Sequence, residues 1–185
     1  MFELADPHPR FHASYLAAVE ELVAAGEEDN VRLPFWPAEE GLAGVAFTRA
    51  SLARPEGFGE YVAFLLEQRR EEAARPSTYV AWTELWMAEG DEYLGRISLR
   101  HRLTAPLLTW GGHVGYAVRP SARRRGYAGR ALALLLPRAA EMGLERLLVT
   151  CDEDNVASRR VIERNGGVYE DSREGKRRYW VPTRG

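Results

Sequence analysis

Two short stretches carry residue types and spacings that could bind and move a charged group. The first, Gly115 to Arg130, reads Gly-Tyr-Ala-Val-Arg-Pro-Ser-Ala-Arg-Arg-Arg-Gly-Tyr-Ala-Gly-Arg. Gly115 to Val118 reads as a strand end, Arg119 to Arg125 as a polar loop opened by Pro120, and Gly126 to Met142 as an apolar helical pattern. A helix start leaves backbone N–H groups without intrahelical partners, and such groups attract anions. Gly126, Ala128 and Gly129 keep bulky side chains away from that backbone. This geometry suits a phosphate. Two other readings stay open. One is a basic first turn of a structural helix, which works against the macrodipole. The other is a nucleic-acid patch made by Arg119, Arg123, Arg124, Arg125 and Arg130. A P-loop is excluded, because no Gly-x-x-x-x-Gly-Lys-Ser/Thr occurs.

The second stretch is Asn155 to Gly167, Asn-Val-Ala-Ser-Arg-Arg-Val-Ile-Glu-Arg-Asn-Gly-Gly. Asp154 or Asn155 caps a helix that runs through Arg164 and stops at Asn165-Gly166-Gly167. Between the two stretches, Leu147 to Cys151 is a continuous apolar run, the pattern of a strand buried on both faces and parallel to its neighbour. A right-handed crossover places it beside Gly115 to Val118.

The remaining elements must position these two. Phe2 to Ala5 reads as a first strand. Asp6-Pro7 then caps a helix with Phe11, Tyr15, Val19, Leu22 and Val23 on one face, up to Gly26. Residues 27 to 56 are irregular, and Phe35 and Trp36 between prolines could line a substrate pocket but are expected to pin that loop to the core. A second helix is predicted over roughly Phe58 to Ala74, stopped by Pro76. Thr78 to Met87 and Tyr93 to Arg100 form a hairpin about Glu89 to Glu92. In its second strand Tyr93, Gly95, Ile97 and Leu99 should face the core while Arg96, Ser98 and Arg100 stay wet. Pro137 predicts a kink in the long helix, and Gly143 a C-terminal cap. Val168 to Asp171 and Lys176 to Pro182 form a last hairpin around Arg173-Glu174-Gly175.

Composition narrows the classes. With 45% hydrophobic and 28% charged residues over 185 positions, the chain is an ordinary globular sequence the size of one domain. A net charge of −2 gives no overall attraction for a polyanion. The early acid and prolines of the N-terminus do not make a signal peptide, and no stretch reaches membrane-span length. The single cysteine, Cys151, cannot form an internal disulfide, so a reducing, cytoplasmic setting is expected. His8, His12, His101 and His113 lack metal-ligand spacing, and no metal is expected.

Taken together, Arg123-x-x-Gly126-x-Ala128 and the Asn155-x-x-Ser158 helix, in that order with a buried strand between, resemble the GCN5-related N-acetyltransferases. Within them, the run from Gly95 to His101 and the Thr150-to-Glu163 segment look like a bacterial subgroup of predicted acetyltransferases. The resemblance covers about Tyr79 to Trp180. It implies an α/β (α+β) fold: a mixed, mostly antiparallel central sheet with a splayed parallel strand pair and flanking helices. It divides a single domain into acceptor-side helices in 1–76 and a hairpin, cofactor core and C-terminal hairpin in 77–182.

The resemblance also implies acetyl-coenzyme A as donor and an amine acceptor, either a small molecule or a protein or peptide, in a monomer or homodimer without nucleic acid or membrane. Backbone groups of Ala117, Val118 and Arg119 would pair with the pantetheine amides. Arg123, Arg124, Arg125, Gly126, Tyr127, Ala128 and Gly129 would hold the pyrophosphate, Asn155 the pantetheine arm, and Ser158 would face the thioester. Many members carry a tyrosine seven positions after the asparagine, where it protonates the departing thiolate; here Ile162 stands there. A thiol of pKa near ~8.5 leaves readily, and Ser158, Tyr116 or solvent could replace the missing acid. For removing the acceptor's proton, His113 and Asp152 are candidates, although a strand histidine is more often satisfied by backbone. Two further readings follow: a catalytically weak acyl-coenzyme A binding or sensing domain, and a nucleic-acid binder using the arginine loop.

Overall fold

The computed structural model describes residues 1–31 and 33–184. Its main sheet has seven strands: β1 (Phe2–Ala5), β4 (Trp82–Glu89), β5 (Glu92–Arg100), β6 (Val114–Val118), β7 (Arg146–Asp152), β8 (Val168–Arg173) and β9 (Lys176–Pro182). A separate two-stranded sheet joins β2 (Phe35–Trp36) to β3 (Val45–Ala46). The main order is β1-β4-β5-β6-β7-β9-β8, antiparallel throughout except for β6 and β7. One face carries α4 (Tyr127–Glu141) and α5 (Val156–Arg164). The other carries α1 (His12–Ala24) and α3 (Pro55–Glu67), with the single turn α2 (Arg49–Leu52) between them.

Each face has its own core. Leu85, Ile97, Leu99, Val114 and Val149 meet Leu132, Leu135 and Ile162 on the α4/α5 side. Trp86 and Tyr93 meet Phe11, Tyr15, Phe58 and Tyr61 on the other. Trp86 is fully enclosed by this aromatic cluster, with Tyr15 stacked at 5.4 Å and Tyr93 edge-on at 5.4 Å. Each such side chain contributes roughly 2–3 kcal/mol through burial.

Several expectations change. The first helix, α1, has no side-chain cap: it follows a 3-10 turn, Pro9–Phe11, that His8 caps by accepting the Arg10 N–H on its ring, while Asp6 instead pairs with Arg69. The α3 helix stops at Glu67, well before Pro76, because the Gln68 carbonyl turns to accept the Trp82 N–H. Strand β5 has no wet face: Arg96 and Ser98 are buried beneath the α1/α3 layer, since both sheet faces are covered. Tyr93 also faces that layer rather than lying with Ile97, because Leu94 is an extra residue bulged between the Met87–Gly95 and Ala88–Tyr93 pairs. Of the two loop aromatics, Trp36 packs on Phe64 and Tyr79, whereas Phe35 is exposed. Helix α4 continues through Pro137 to Glu141, with Met142 at its cap and Gly143, whose φ is 82°, just beyond it.

Candidate functional site

Strands β6 and β7 pair at one position, Val114 with Val149, reinforced by His113 N–H to the Leu148 carbonyl at 2.7 Å. Beyond it they diverge. On its other edge β6 stays paired with β5, through Arg100 N–H to His113 O at 2.8 Å and the partners Ser98–Gly115 and Arg96–Ala117. Alternation in an antiparallel ladder then turns the backbone groups of Tyr116 and Val118 away from β5, into the gap. Sequence reading expected this splay at these residues. It differs at two of the three residues: the register commits Ala117 to β5 and the Arg119 N–H donates to the Leu94 carbonyl at 2.9 Å, so Tyr116 and Val118 present the open edge.

The gap leads to the arginine loop. Pro120–Ala122 is a 3-10 turn, and α4 begins after Gly126. Among the described residues, the backbone N–H groups of Arg124 to Gly129 have no backbone acceptor. Arg124 and Gly126 both adopt left-handed conformations, with φ of 62° and 81°, of the kind that curls successive N–H groups into an anion-binding concavity. Nothing lies within 4 Å of where a Gly126 Cβ would stand, and beside Gly129 only Asn165 comes that near. The backbone here is open to a ligand.

The arginines are less available than their number implies. Arg119 is buried and donates to Glu21 from Nε at 3.1 Å and from Nη2, with Ser14 Oγ and the Tyr93 carbonyl as further acceptors. Glu21 also accepts the Ser121 N–H and hydroxyl, both at 2.9 Å. These donors, led by Arg119, hold the Glu21 carboxyl down at about 2. Arg123 is gripped by both oxygens of Glu27 at 2.7 and 2.5 Å, which lowers the Glu27 pKa, and its Nε donates to the Val118 carbonyl at 3.1 Å. Arg125 lies over the Tyr127 ring, whose side chain is buried against Phe2, so Tyr127 offers the loop its backbone alone. Arg124 and Arg125 remain exposed. Glu21 and Glu27 are functional neighbours that sequence reading missed. They stand 98 and 96 positions from their arginines in acidic surroundings without a local motif.

At the far side of the gap, Asn155 caps α5 by accepting the Ser158 N–H at 2.9 Å. The Ser158 hydroxyl meets the Tyr116 hydroxyl at 2.6 Å. Burial pushes Tyr116 up to about 12 and raises Cys151. Ile162, at the family's tyrosine position, is fully enclosed in the core. His113 is buried, its Nδ1 accepts the Leu148 N–H at 2.8 Å, and burial with Arg100 nearby lowers its pKa to about 4. With Nδ1 occupied, a neutral imidazole carries its hydrogen on Nε2 and has no lone pair left for a substrate proton. Asp152, at the wide end of the gap, is ion-paired with Lys176. Among the described residues no group of His, Cys, Asp or Glu could hold a metal, and no helix is long and apolar enough to cross a membrane.

Comparison with known proteins agrees with this geometry. No curated protein sequence matches the chain significantly. Among solved structures, the microcin C7 self-immunity acetyltransferase MccE, in complex with acetyl-CoA and AMP, superposes with a TM-score of 0.62 at 13% identity, covering 98% of this chain and 92% of that one. Mycobacterium smegmatis RimJ, in complex with CoA-disulfide, gives 0.64 at 16%, covering 98% and 81%. The ribosomal-protein-S5-alanine acetyltransferase of Vibrio fischeri gives 0.62 at 14%, covering 99% and 92%. At these identities the likeness concerns the fold. The profile described as Acetyltransferase (GNAT) domain matches residues 19–168, which is most of the chain. The chain belongs to the GNAT acetyltransferase family.

Proposed function

We propose that this protein transfers an acetyl group from acetyl-coenzyme A directly to an amine acceptor. The observation that carries the reading is the run of open N–H groups from Arg124 to Gly129, set beside a parallel strand pair that parts after one residue pair. In this reading the loop amides hold the pyrophosphate, and Arg124 and Arg125 add charge-assisted contacts. The pantetheine arm lies in the gap, where the backbone of Tyr116 and Val118 replaces a strand partner. A Val118 or Tyr116 N–H polarises the thioester carbonyl. Asn155 keeps the start of α5 in place, and Ser158 faces the sulfur.

Magnitudes set the role of the Ser158–Tyr116 pair. The Tyr116 hydroxyl, at about 12, is a far weaker acid than a thiol near ~8.5, so complete proton transfer to the thiolate runs uphill. The pair instead donates hydrogen bonds to sulfur as it gains charge, with Tyr116 orienting the serine. Deprotonation of the acceptor rests with Asp152 and solvent at the wide end of the gap.

The alternative, a domain that binds acyl-coenzyme A without turnover, draws on Ile162 in place of the family tyrosine. An arginine-loop nucleic-acid site is less favoured, since Arg119 is buried against Glu21 and the net charge of −2 gives no overall attraction for a polyanion. Release of coenzyme A thiol is measured with acetyl-CoA and a panel of small amines, amino sugars and peptides. Amine-dependent release supports transfer. Saturable binding without release with any amine gives the binding domain, and absence of binding removes both coenzyme A readings.

A further inference from the structure

Arg119 and Arg123 both lie in the loop, yet only one is free to move. Arg119 is buried and satisfied from several sides. The Arg123–Glu27 pair is partly open, with 37% and 33% of the two side chains exposed. The open amides begin at the very next residue, so a pyrophosphate bound there would lie within reach of the Arg123 guanidinium.

Glu27 serves a second contact. It accepts the Asn30 amide at 2.8 Å, and the Asn30 carbonyl accepts Arg96 Nε of β5 at 3.3 Å. A line of polar contacts thus runs from the loop, through the turn Glu28–Val31, to the sheet. That turn borders an open cavity of about 370 Å³, lined by Val23, Glu28, Asp29, Val31, Leu33 and Arg49.

We propose that Arg123 exchanges Glu27 for the cofactor's pyrophosphate, so that Glu27 is a built-in competitor whose displacement loosens the turn bordering this cavity. The inference rests on the reading of the loop as an acetyl-CoA site. Both contacts are charge-assisted and bidentate, but the Glu27 pair is partly open to water and contributes about 1 kcal/mol, so little opposes its exchange for a pyrophosphate that the loop amides already hold beside it. Glu27 is a positioning residue: it parks Arg123 and holds Asn30 while the loop is empty.

The competitor role has an unusual sign. Removing a supporting carboxylate would weaken cofactor binding, but removing a competitor strengthens it. Titration calorimetry with acetyl-CoA on the parent and Glu27→Gln, each first shown to unfold cooperatively, reads that sign. Glu27→Gln is expected to bind about two- to five-fold tighter. Equal or weaker binding overturns the proposal, whereas no binding by the parent overturns the acetyl-CoA reading instead. Amide hydrogen exchange in the parent gives a second readout that does not depend on the variant. Saturating acetyl-CoA should speed exchange across residues 27–31, and unchanged or slower exchange there overturns the release of the turn.

Discussion

The hydroxyls of Tyr116 and Ser158 stand 2.6 Å apart, bridging strand β6 and helix α5 across the mouth of the gap between β6 and β7. A hydrogen bond to a charged partner is worth about 1.5–3 kcal/mol, so Ser158→Ala should lower kcat by roughly ten- to a hundred-fold. The KM for acetyl-CoA should change little. Tyr116→Phe keeps the serine hydroxyl but frees its orientation, and its loss should be smaller. Steady-state rates for the two variants check this. An unaltered kcat in Ser158→Ala would remove the serine from the reaction.

The open space at Gly126 allows a test of the loop with little damage to the fold. Gly126→Glu brings a carboxylate to the anion site, and acetyl-CoA should no longer raise its unfolding midpoint. Its φ of 81° makes any side chain there cost about 1–2 kcal/mol, so Gly126→Ala separates strain from charge. The alanine variant should lose stability to a similar extent yet keep most of the acetyl-CoA shift. Loss of the shift in both variants would assign the effect to loop strain.

Glu21 links acid stability to the loop. Its carboxyl is held at about 2 in the folded chain against an ordinary 4.5, so its stabilising effect is complete above pH 4.5 and is lost as pH falls toward 2. After allowance for solvent screening the effect is about 2 kcal/mol. Unfolding midpoints of the parent and Glu21→Gln, measured from pH 7 to pH 3, should lie apart near neutrality and converge in acid. Parallel curves would show that Glu21 carries no such linkage.

His113 separates structure from chemistry. His113→Ala leaves the buried Leu148 N–H without its acceptor and should cost about 1–3 kcal/mol in stability. The pH dependence of kcat in the folded variant should match the parent's. Because the folded pKa is lowered to about 4, the unfolded chain takes up the proton first as pH drops below 6.5. The parent should therefore lose stability between pH 6.5 and 4, and His113→Ala should lack that component. A displaced pH–rate profile would return His113 to the reaction.

What could be read from the sequence was what repeats locally. The turn at Gly126, the Asn155 cap, the Gly143 and Gly166 helix ends and the apolar run of β7 each follow from a few adjacent residues, and each lies where expected. The divergence of β6 and β7 came from family resemblance rather than from any local pattern. Contacts between distant residues were hidden: nothing near Glu21 or Glu27 marks them as partners of Arg119 and Arg123. Strand β5 misled for a related reason, since alternating arginines read as a wet face until the α1/α3 layer is placed over them. The end of α3 was likewise set by the pull of Trp82 on the Gln68 carbonyl rather than by Pro76.

The bulge at Leu94 has a consequence for how insertions and deletions are tolerated. It allows one strand to serve two interiors out of phase: Tyr93 joins the aromatic core, Leu94 the aliphatic one, and Gly95 lets β6 pass where a Cβ would stand 2.3 Å from the Ala117 carbonyl oxygen. Deleting Leu94 would not merely shorten the hairpin. It would leave Tyr93 opposite Gly95 and so still on the aromatic side, but would take Leu94 out of the aliphatic core and remove the carbonyl that accepts the Arg119 N–H at 2.9 Å, whereas absorbing Leu94 into the ladder without a bulge would turn Tyr93 to the aliphatic side. The bulge thus adds a leucine to the α4/α5 side without disturbing the phase of the side that faces it, and it is straightening of the bulge, rather than loss of the residue, that would set the two sides out of phase.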